Sequence, residues 1–329
     1  MKTELLRILE SRRGEFVSGE ELAENFGVTR AAVWKAIDSL RSSGHVIEAI
    51  TNRGYSLVRT SDALTSEGIR VNLKPSTKIS RVVCLEAADS TNNYAKRLAM
   101  NGAAHGTLVA ADRQTSGRGR HGHTFESPAG TGLYMSLVLR PKVEAEKFQM
   151  ITVAAAVAVC LAIDELCGGA KERAGIKWVN DVLIGGRKVT GILTEAVSSV
   201  ESGEIESVIT GIGVNVSTRE FPAEFADTAG SIFGEGEYLF GRDELCARIA
   251  DYVMDFADNL EAPEIIREYR TRSILSGKRI TYMKNDVKSS GFVEGISENG
   301  GLVVVNASGE REILRSGEVF MIRRKVDED

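Results

Sequence analysis

DRQTSGRGRHGHTFESP, residues 112–128, holds the densest chemistry in the chain, and Gly117-Arg118-Gly119-Arg120-His121-Gly122 is its centre. Closely spaced glycines let a backbone turn tightly and bring its N–H groups against an anion. Interleaved arginines add cationic forks that grip two phosphate or carboxylate oxygens at once. Taken alone, the stretch is equally compatible with a solvated basic loop. The same residues satisfy G-x-G-x-x-G, the dinucleotide pattern, which requires a helix opening at the glycines. A strand-like run, residues 107–111, precedes them, but Phe125-Glu126-Ser127-Pro128 and a second strand-like run, residues 133–139, follow. With no helix N-terminus expected there to carry a pyrophosphate, the dinucleotide reading is set aside.

Working outward, Asp89-Ser90-Thr91-Asn92 lies upstream, and Lys177-Trp178-Val179-Asn180-Asp181, Lys188-Val189-Thr190-Gly191-Ile192-Leu193 and Gly211-Ile212-Gly213-Val214-Asn215 lie downstream. In this order, around this loop, the motifs resemble those of the biotin protein ligases, whose loop usually reads G-R-G-R-x-G-R-x-W-x-S-P. Several separated motifs in one order are much harder to meet by chance than any one of them.

The 329 residues are enough for two domains or more, and 43% hydrophobic with 26% charged residues is ordinary for a globular protein. A formal net charge of −5 argues against a chain that coats nucleic acid, though one basic face can still bind DNA. Cys84, Cys160, Cys167 and Cys246 form no C-x-x-C pair and stand near no histidine cluster, against a zinc site or a disulfide framework and in keeping with a reducing cytoplasm. The first residues carry acids early and lack a long apolar core, so no signal peptide is expected. The alanine-rich run of residues 150–163 falls short of the roughly 20 apolar residues a membrane span needs and reads as a buried core helix.

Leu5, Leu6, Ile8 and Leu9 recur at helical spacing, predicting a first helix over residues 2–11. Ser18 followed by Glu21 has capping-box spacing and opens a second, which Gly27 breaks. Thr29 caps a third with Ala32, Val33, Ile37 and Leu40 on its apolar face. Two strand-like runs around Thr51-Asn52-Arg53-Gly54 complete a winged helix-turn-helix. Thr29, Arg30, Lys35, Arg41 and Arg53 are its candidate DNA contacts. Acids at Glu20, Glu21, Glu24, Asp38 and Glu48 nearly balance the charge, so binding must come from one face, doubled by a homodimer.

Residues 61–78 read as a linker with one short helix at 66–71. Apolar strands with few helices over residues 79–273 make an α+β domain around a mixed sheet, with Gly191, Gly211 and Gly213 marking strands that something approaches closely. Residues 242–260 and a stretch opening at Pro263 are helical. Short strands separated by turn signals over residues 274–329 read as a small SH3-like β-barrel with a frayed KVDED tail. The boundaries are therefore 1–60, 61–78, 79–273 and 274–329.

The resemblance implies a catalytic domain of class II aminoacyl-tRNA-synthetase type. It implies an enzyme that uses ATP and Mg2+ to convert biotin to biotinyl-5′-AMP, then transfers biotin to a lysine of a biotin carboxyl carrier protein or biotin-dependent carboxylase subunit. Ser90, Thr91, Asn92, Gln114, Arg118, Gly119, Arg120 and Lys177 are the biotin-side candidates, with Lys177 and Arg118 catalytic. Arg120, Asn180, Asp181, Lys188 and Asn215 are the nucleotide-side candidates, with the magnesium carried by the ATP phosphates. Joined to the DNA-binding unit, this is a cytoplasmic, homodimeric ligase that represses transcription at an operator when adenylate accumulates.

Five positions depart from the family pattern: His121, His123, Phe125, Val179 in place of proline, and Leu314 where relatives place a tryptophan near the adenine. Loss of the proline is expected to loosen Lys177. A lipoate-type ligase and a biotin-sensing DNA-binding regulator without ligase activity remain as alternatives.

Overall fold

In the computed structural model, which describes residues 1–141, 147–198, 205–284 and 287–321, the chain opens with three helices. They are α1 (Lys2–Ser11), α2 (Gly19–Phe26) and α3 (Arg30–Ser42), followed by an antiparallel hairpin of β1 (Ile47–Ile50) and β2 (Gly54–Leu57). The expected caps form. Ser18 Oγ accepts from Glu21 N at 3.0 Å and Thr29 Oγ1 from Ala32 N at 3.2 Å, while Gly27 ends α2 in the left-handed region at φ +60. Leu5, Leu9, Leu22, Val33, Ile37, Leu40, Ile47 and Leu57 close a core of their own.

The segment that follows is a packed seam. It carries α4 (Ser66–Asn72), capped by Thr65, whose Ile69 is fully buried in the main core while Val71 rests on the N-terminal one. Ser61 makes the stitches on both sides. Its carbonyl accepts from Arg13 Nη1 at 2.9 Å and Tyr238 Oη at 3.0 Å, and its hydroxyl accepts from Val46 N at 2.9 Å.

The central sheet runs through β3 (Arg81–Ala88), α5 (Thr91–Met100), β4 (Thr107–Gln114), β5 (Gly132–Leu139), α6 (Phe148–Cys167), β6 (Gly175–Lys177), β7 (Asp181–Ile184), β8 (Arg187–Ser198) and β9 (Ile205–Asn215). Its strand order is β3-β4-β5-β9-β8-β7-β6; β3 and β4 are parallel and the remaining neighbours antiparallel. α5 covers one face through Ala95 and Ala99. α6 covers the other, with α7 (Arg242–Ala257) and α8 (Pro263–Arg272) behind it. α6 is, among the described residues, the one helix long and apolar enough to cross a membrane, and it is buried in the core. Apolar almost all round, it has the pattern of a core helix.

A five-stranded antiparallel sheet ends the described chain: β10 (Arg279–Lys284), β11 (Val287–Ile296), β12 (Leu302–Asn306), β13 (Arg311–Leu314) and β14 (Val319–Met321), in the order β13-β12-β11-β10-β14. Its inner face, including Ile280, Val293, Leu302 and Val304, is continuous with the main core. The turn before β12 plugs in deepest, where the Gly300 carbonyl accepts from Trp178 Nε1 at 2.9 Å and Gln149 Nε2 at 2.8 Å. Ile322 and the KVDED tail lie outside the described residues.

Candidate functional site

Residues paired across neighbouring strands share a face of the sheet, and one such row builds the floor of the site. Tyr134 pairs with Gly213, Gly213 with Gly191, Gly191 with Asp181, and Asp181 with Lys177. The glycines leave the middle of the row bare, with Tyr134 at one end and Lys177 at the other. The loop that follows β4 drops its Phe125 ring onto this bare patch, edge-on to Tyr134 with centroids 6.3 Å apart at 72°. A cavity of about 550 Å³ opens above, and every residue expected on the biotin or nucleotide side lines it.

At one end, polar groups from three elements converge. Ser90 precedes α5 but makes no capping hydrogen bond, leaving its buried hydroxyl uncommitted to the helix. Gln114, at the end of β4, caps instead: its Oε1 accepts from Thr91 N at 2.8 Å, while its Nε2 donates to Ser127 Oγ at 2.9 Å. Ser136 Oγ lies 2.8 Å from Thr91 Oγ1 and 2.7 Å from Asn92 Oδ1. Asn92 Nδ2 donates to Glu195 Oε2 at 2.7 Å and to the Leu193 carbonyl at 3.2 Å. The Asn92 amide is thus fully engaged in holding α5 to the sheet. Desolvation would raise the Glu195 pKa, but Lys96 and Asn92 prevail and hold it below the usual carboxylate range.

Arg118 adds a cation to this polar end, bonding Asn93 Oδ1 on α5. The opposite end is cationic, and there Arg120 Nη1 donates to Asn180 Oδ1 at 3.2 Å. Asn180 is itself fixed by β8, donating from Nδ2 to the Ile192 carbonyl at 3.0 Å. Asn215 is buried and donates to the Gly230 carbonyl at 3.1 Å. Both asparagines line the cavity, yet their amides already hold a loop in place. Asp181 and Lys188 form an ion pair at 2.7 Å. Lys177 differs from all of these, because its ammonium has no hydrogen-bond or ion-pair partner among the described residues.

The backbone beside Lys177 is held although valine replaces the proline. Its neighbours Trp178 and Val179 are buried, and the Val179 carbonyl accepts from Tyr269 Oη at 3.0 Å while Trp178 is bonded to Gly300. Leu314 does not line the cavity. It is buried in the core under β13, and Phe320 on β14 is the terminal-sheet aromatic that faces the cavity. His123 reaches the same wall, its Nε2 lying 2.9 Å from Glu318 Oε1. A phenylalanine in a short terminal strand gave no sequence signal for this role.

The candidate DNA contacts separate into two groups. Arg30 and Lys35 are exposed on α3. Arg53 is exposed at the wing tip, its guanidinium 4.3 Å from the centre of the Phe16 ring. Thr29 is engaged as a cap, and Arg41 donates from Nε and Nη2 to the Ile47 carbonyl at 2.9 and 2.7 Å. Arg41 therefore ties α3 to the wing through Nε and Nη2. The sequence reading passed over Trp34, 53% exposed one turn after Arg30. Its place opposite the apolar face was there to be read.

Three family models match in order: an HTH domain over residues 2–56, the Biotin/lipoate A/B protein ligase family over 84–215, and the Biotin protein ligase C terminal domain over 275–322. The chain is 39% identical over 234 residues to the bifunctional ligase/repressor BirA of Bacillus subtilis (strain 168), covering 70% of each. The chain belongs to the biotin protein ligase family. Another relative in this family, the bifunctional ligase/repressor BirA of Escherichia coli (strain K12), is 27% identical over 296 residues, 88% of each chain. Among solved ligase structures, the biotin protein ligase from Aquifex aeolicus in complex with biotin and ATP matches with a TM-score of 0.61 and 28% identity, covering 74% of this chain and 99% of that one.

Proposed function

We propose that the protein is a biotin protein ligase that forms biotinyl-5′-AMP, passes biotin to a lysine of a carboxyl carrier or carboxylase subunit, and represses transcription through its N-terminal helices. The observation that carries the catalytic part is Lys177, an unpartnered ammonium at the end of the glycine row, facing a cavity that is polar at one end and cationic at the other.

In the first step a biotin carboxylate oxygen attacks the α-phosphorus of ATP and pyrophosphate leaves. Two anions must meet, so the site needs fixed positive charge aimed at the developing phosphorane. Lys177 bridges the carboxylate and the α-phosphate, having no other partner to give up. Ser90, Thr91 and Gln114 hold the ureido ring, whose donors and acceptors match a hydroxyl pair and an amide. Arg118 and Arg120 draw the loop across the intermediate and keep water from the mixed anhydride. In the second step the neutral amine of the acceptor lysine attacks the acyl carbon and AMP leaves.

Among the described residues no group of three potential metal-ligating side chains is found. Asp181, one of several carboxylates lining the cavity, would hold an ion arriving on the ATP phosphates. When bound, magnesium neutralises phosphate charge. The lipoate reading has no specific support beyond the shared family description, whereas the named relatives are biotin ligases.

For the second activity, Arg30, Lys35 and Arg53 lie on the exposed side of a helix-turn-helix with a wing. One such face holds too few cations for tight binding, which favours a homodimer reading two half-sites. We read the five-stranded terminal sheet as SH3-like, the central domain as class II synthetase-like, and the domain limits as 1–60, 79–273 and 274–329 around a connecting segment. All four cysteines are unpaired, which supports a cytoplasmic setting.

The test is pyrophosphate release with ATP, magnesium and biotin, compared in wild type, Lys177→Ala and Arg118→Gly. Biotin-dependent release that is lost in Lys177→Ala and weakened in Arg118→Gly is expected. No release from folded wild type that still binds biotin overturns the enzyme and leaves a sensor.

A further inference from the structure

One buried arginine joins three parts of the chain that are far apart in sequence. Arg242, the first residue of α7, is 4% exposed and makes five hydrogen bonds. Its backbone N donates to Asp62 Oδ1 at 2.7 Å, its Nε to Asp62 Oδ2 at 2.8 Å, and its Nη2 to the Asp62 carbonyl at 3.1 Å. Its Nη1 turns the other way, to Asp112 Oδ1 at 2.6 Å and the Gly132 carbonyl at 3.2 Å. Asp112 Oδ1 also accepts from Gly130 N at 3.1 Å.

Asp112 and Gly132 are the two stems of the ligand loop. Two residues beyond Asp112 on β4 stands Gln114, which caps α5 and lines the biotin end of the cavity. Two residues beyond Gly132 on β5 stands Tyr134, whose hydroxyl donates to the Pro128 carbonyl at 3.0 Å and whose ring meets Phe125. Asp62 belongs to the segment that enters from the N-terminal unit. It is next to Ser61, which is bonded by Arg13 from the corner after α1 and by Val46 from the start of the wing. Three residues on, the Thr65 hydroxyl lies 3.2 Å from His45 Nε2.

We infer that Arg242 is a positioning residue that holds both stems of the ligand loop and couples their order to the segment entering from the DNA-binding helices. A guanidinium fork has one best geometry for all its partners. Seating a ligand that fixes Gln114 and Phe125 fixes Asp112 and Gly132, and through Arg242 it fixes Asp62 and the stitches at Ser61. The coupling is reciprocal, so anything that orders the helices favours the closed loop. This inference rests on the proposed biotin and ATP site and specifies how its occupancy is transmitted.

Hydrogen–deuterium exchange on the full-length protein, with and without biotin, ATP and magnesium, tests it in wild type, Asp62→Asn and Asp62→Ala. Asp62 touches no part of the cavity, and its asparagine variant keeps the shape while losing the charge. In wild type, ligand should slow exchange at residues 112–132 and also at 45–65. In both Asp62 variants the protection at 112–132 should remain and that at 45–65 should fall at least threefold, with the pyrophosphate release rate at saturating substrate within twofold of wild type. Arg242→Lys, which keeps the charge but not the fork, should also raise the biotin KM with little change in kcat. If ligand fails to protect residues 112–132 in wild type, the site assignment fails and takes the inference with it. If it protects them but protection never reaches 45–65, or reaches it equally in the Asp62 variants, Arg242 transmits nothing and the inference alone is overturned.

Discussion

A Cβ on Gly213 would stand 2.6 Å from Cε1 of Phe125. The ring that rests on the glycine row therefore occupies space that only the absence of a side chain provides. Gly213→Ala should push Phe125 off the floor and lower the affinity for ATP in the presence of biotin by at least tenfold. Overpacking of this kind costs about 1–3 kcal/mol. Calorimetric binding to Gly213→Ala, Phe125→Ala and the double variant checks it. If the ring is what the new methyl displaces, the two effects will not add.

The exposed and the engaged arginines of the N-terminal unit should part company on mutation. Arg41→Ala removes two charge-assisted hydrogen bonds to the Ile47 carbonyl, which are worth about 1.5–3 kcal/mol each at most. It should lower the melting temperature. Arg30→Ala should leave melting unchanged, weaken DNA binding and reduce the salt slope by about one. Fluorescence anisotropy on a DNA duplex at several salt concentrations, beside thermal melts, separates the two. An Arg41→Ala variant as stable as wild type would contradict the assignment.

Opposed titrations meet at the seam. Burial, with Glu10 nearby and Arg13 opposing, pushes the Asp243 pKa up to about 7 from 3.8. Burial and then Arg13, against Glu67, push His45 down to about 4 from 6.5. The folded chain holds the Asp243 proton more tightly, so that stabilisation is complete below pH 3.8 and is lost as pH rises towards about 7. The folded chain resists protonating His45, so that stabilisation is complete above pH 6.5 and is lost as pH falls towards about 4. Between these limits the two slopes oppose, each reaching at most about 1.4 kcal/mol per pH unit. His45→Gln should make stability fall with rising pH over this range relative to wild type, and Asp243→Asn should make it rise. Urea unfolding at a series of pH values reads both slopes.

Phe320 lines the cavity from β14 and is 49% exposed, so its side chain has little packing to lose. Phe320→Ala should raise the KM for ATP severalfold while leaving the Kd for biotin and the melting temperature unchanged. A change confined to biotin would place the nucleotide elsewhere.

What could be read from the sequence follows the range over which each interaction acts. Ser18 with Glu21 and Thr29 with Ala32 are local, and both caps form where the spacing put them. The glycines at 191 and 213 announced a close approach, but not that a phenylalanine ring would make it, because Phe125 lies far along the chain. Ser90 was expected on the biotin side, and it also stands at the N-cap position of α5. Only the structure shows the cap coming from Gln114, a side chain from another strand. Leu314 was noted, by resemblance, as standing where relatives place a tryptophan near the adenine, and the alternation of β13 turns it into the core. Arg242 carried no signal, since its carboxylate partners are 180 and 130 residues away.

The terminal sheet shares its core with α6 and the strand of Lys177, while the three N-terminal helices and their wing close a core of their own. During synthesis this imposes an order. The DNA-binding unit can bury its apolar groups as soon as the first sixty or so residues are clear of the ribosome, whereas the catalytic sheet keeps an open apolar flank until β14 has emerged. A ribosome that stalls between these two points holds a finished DNA-binding unit attached to an unfinished enzyme.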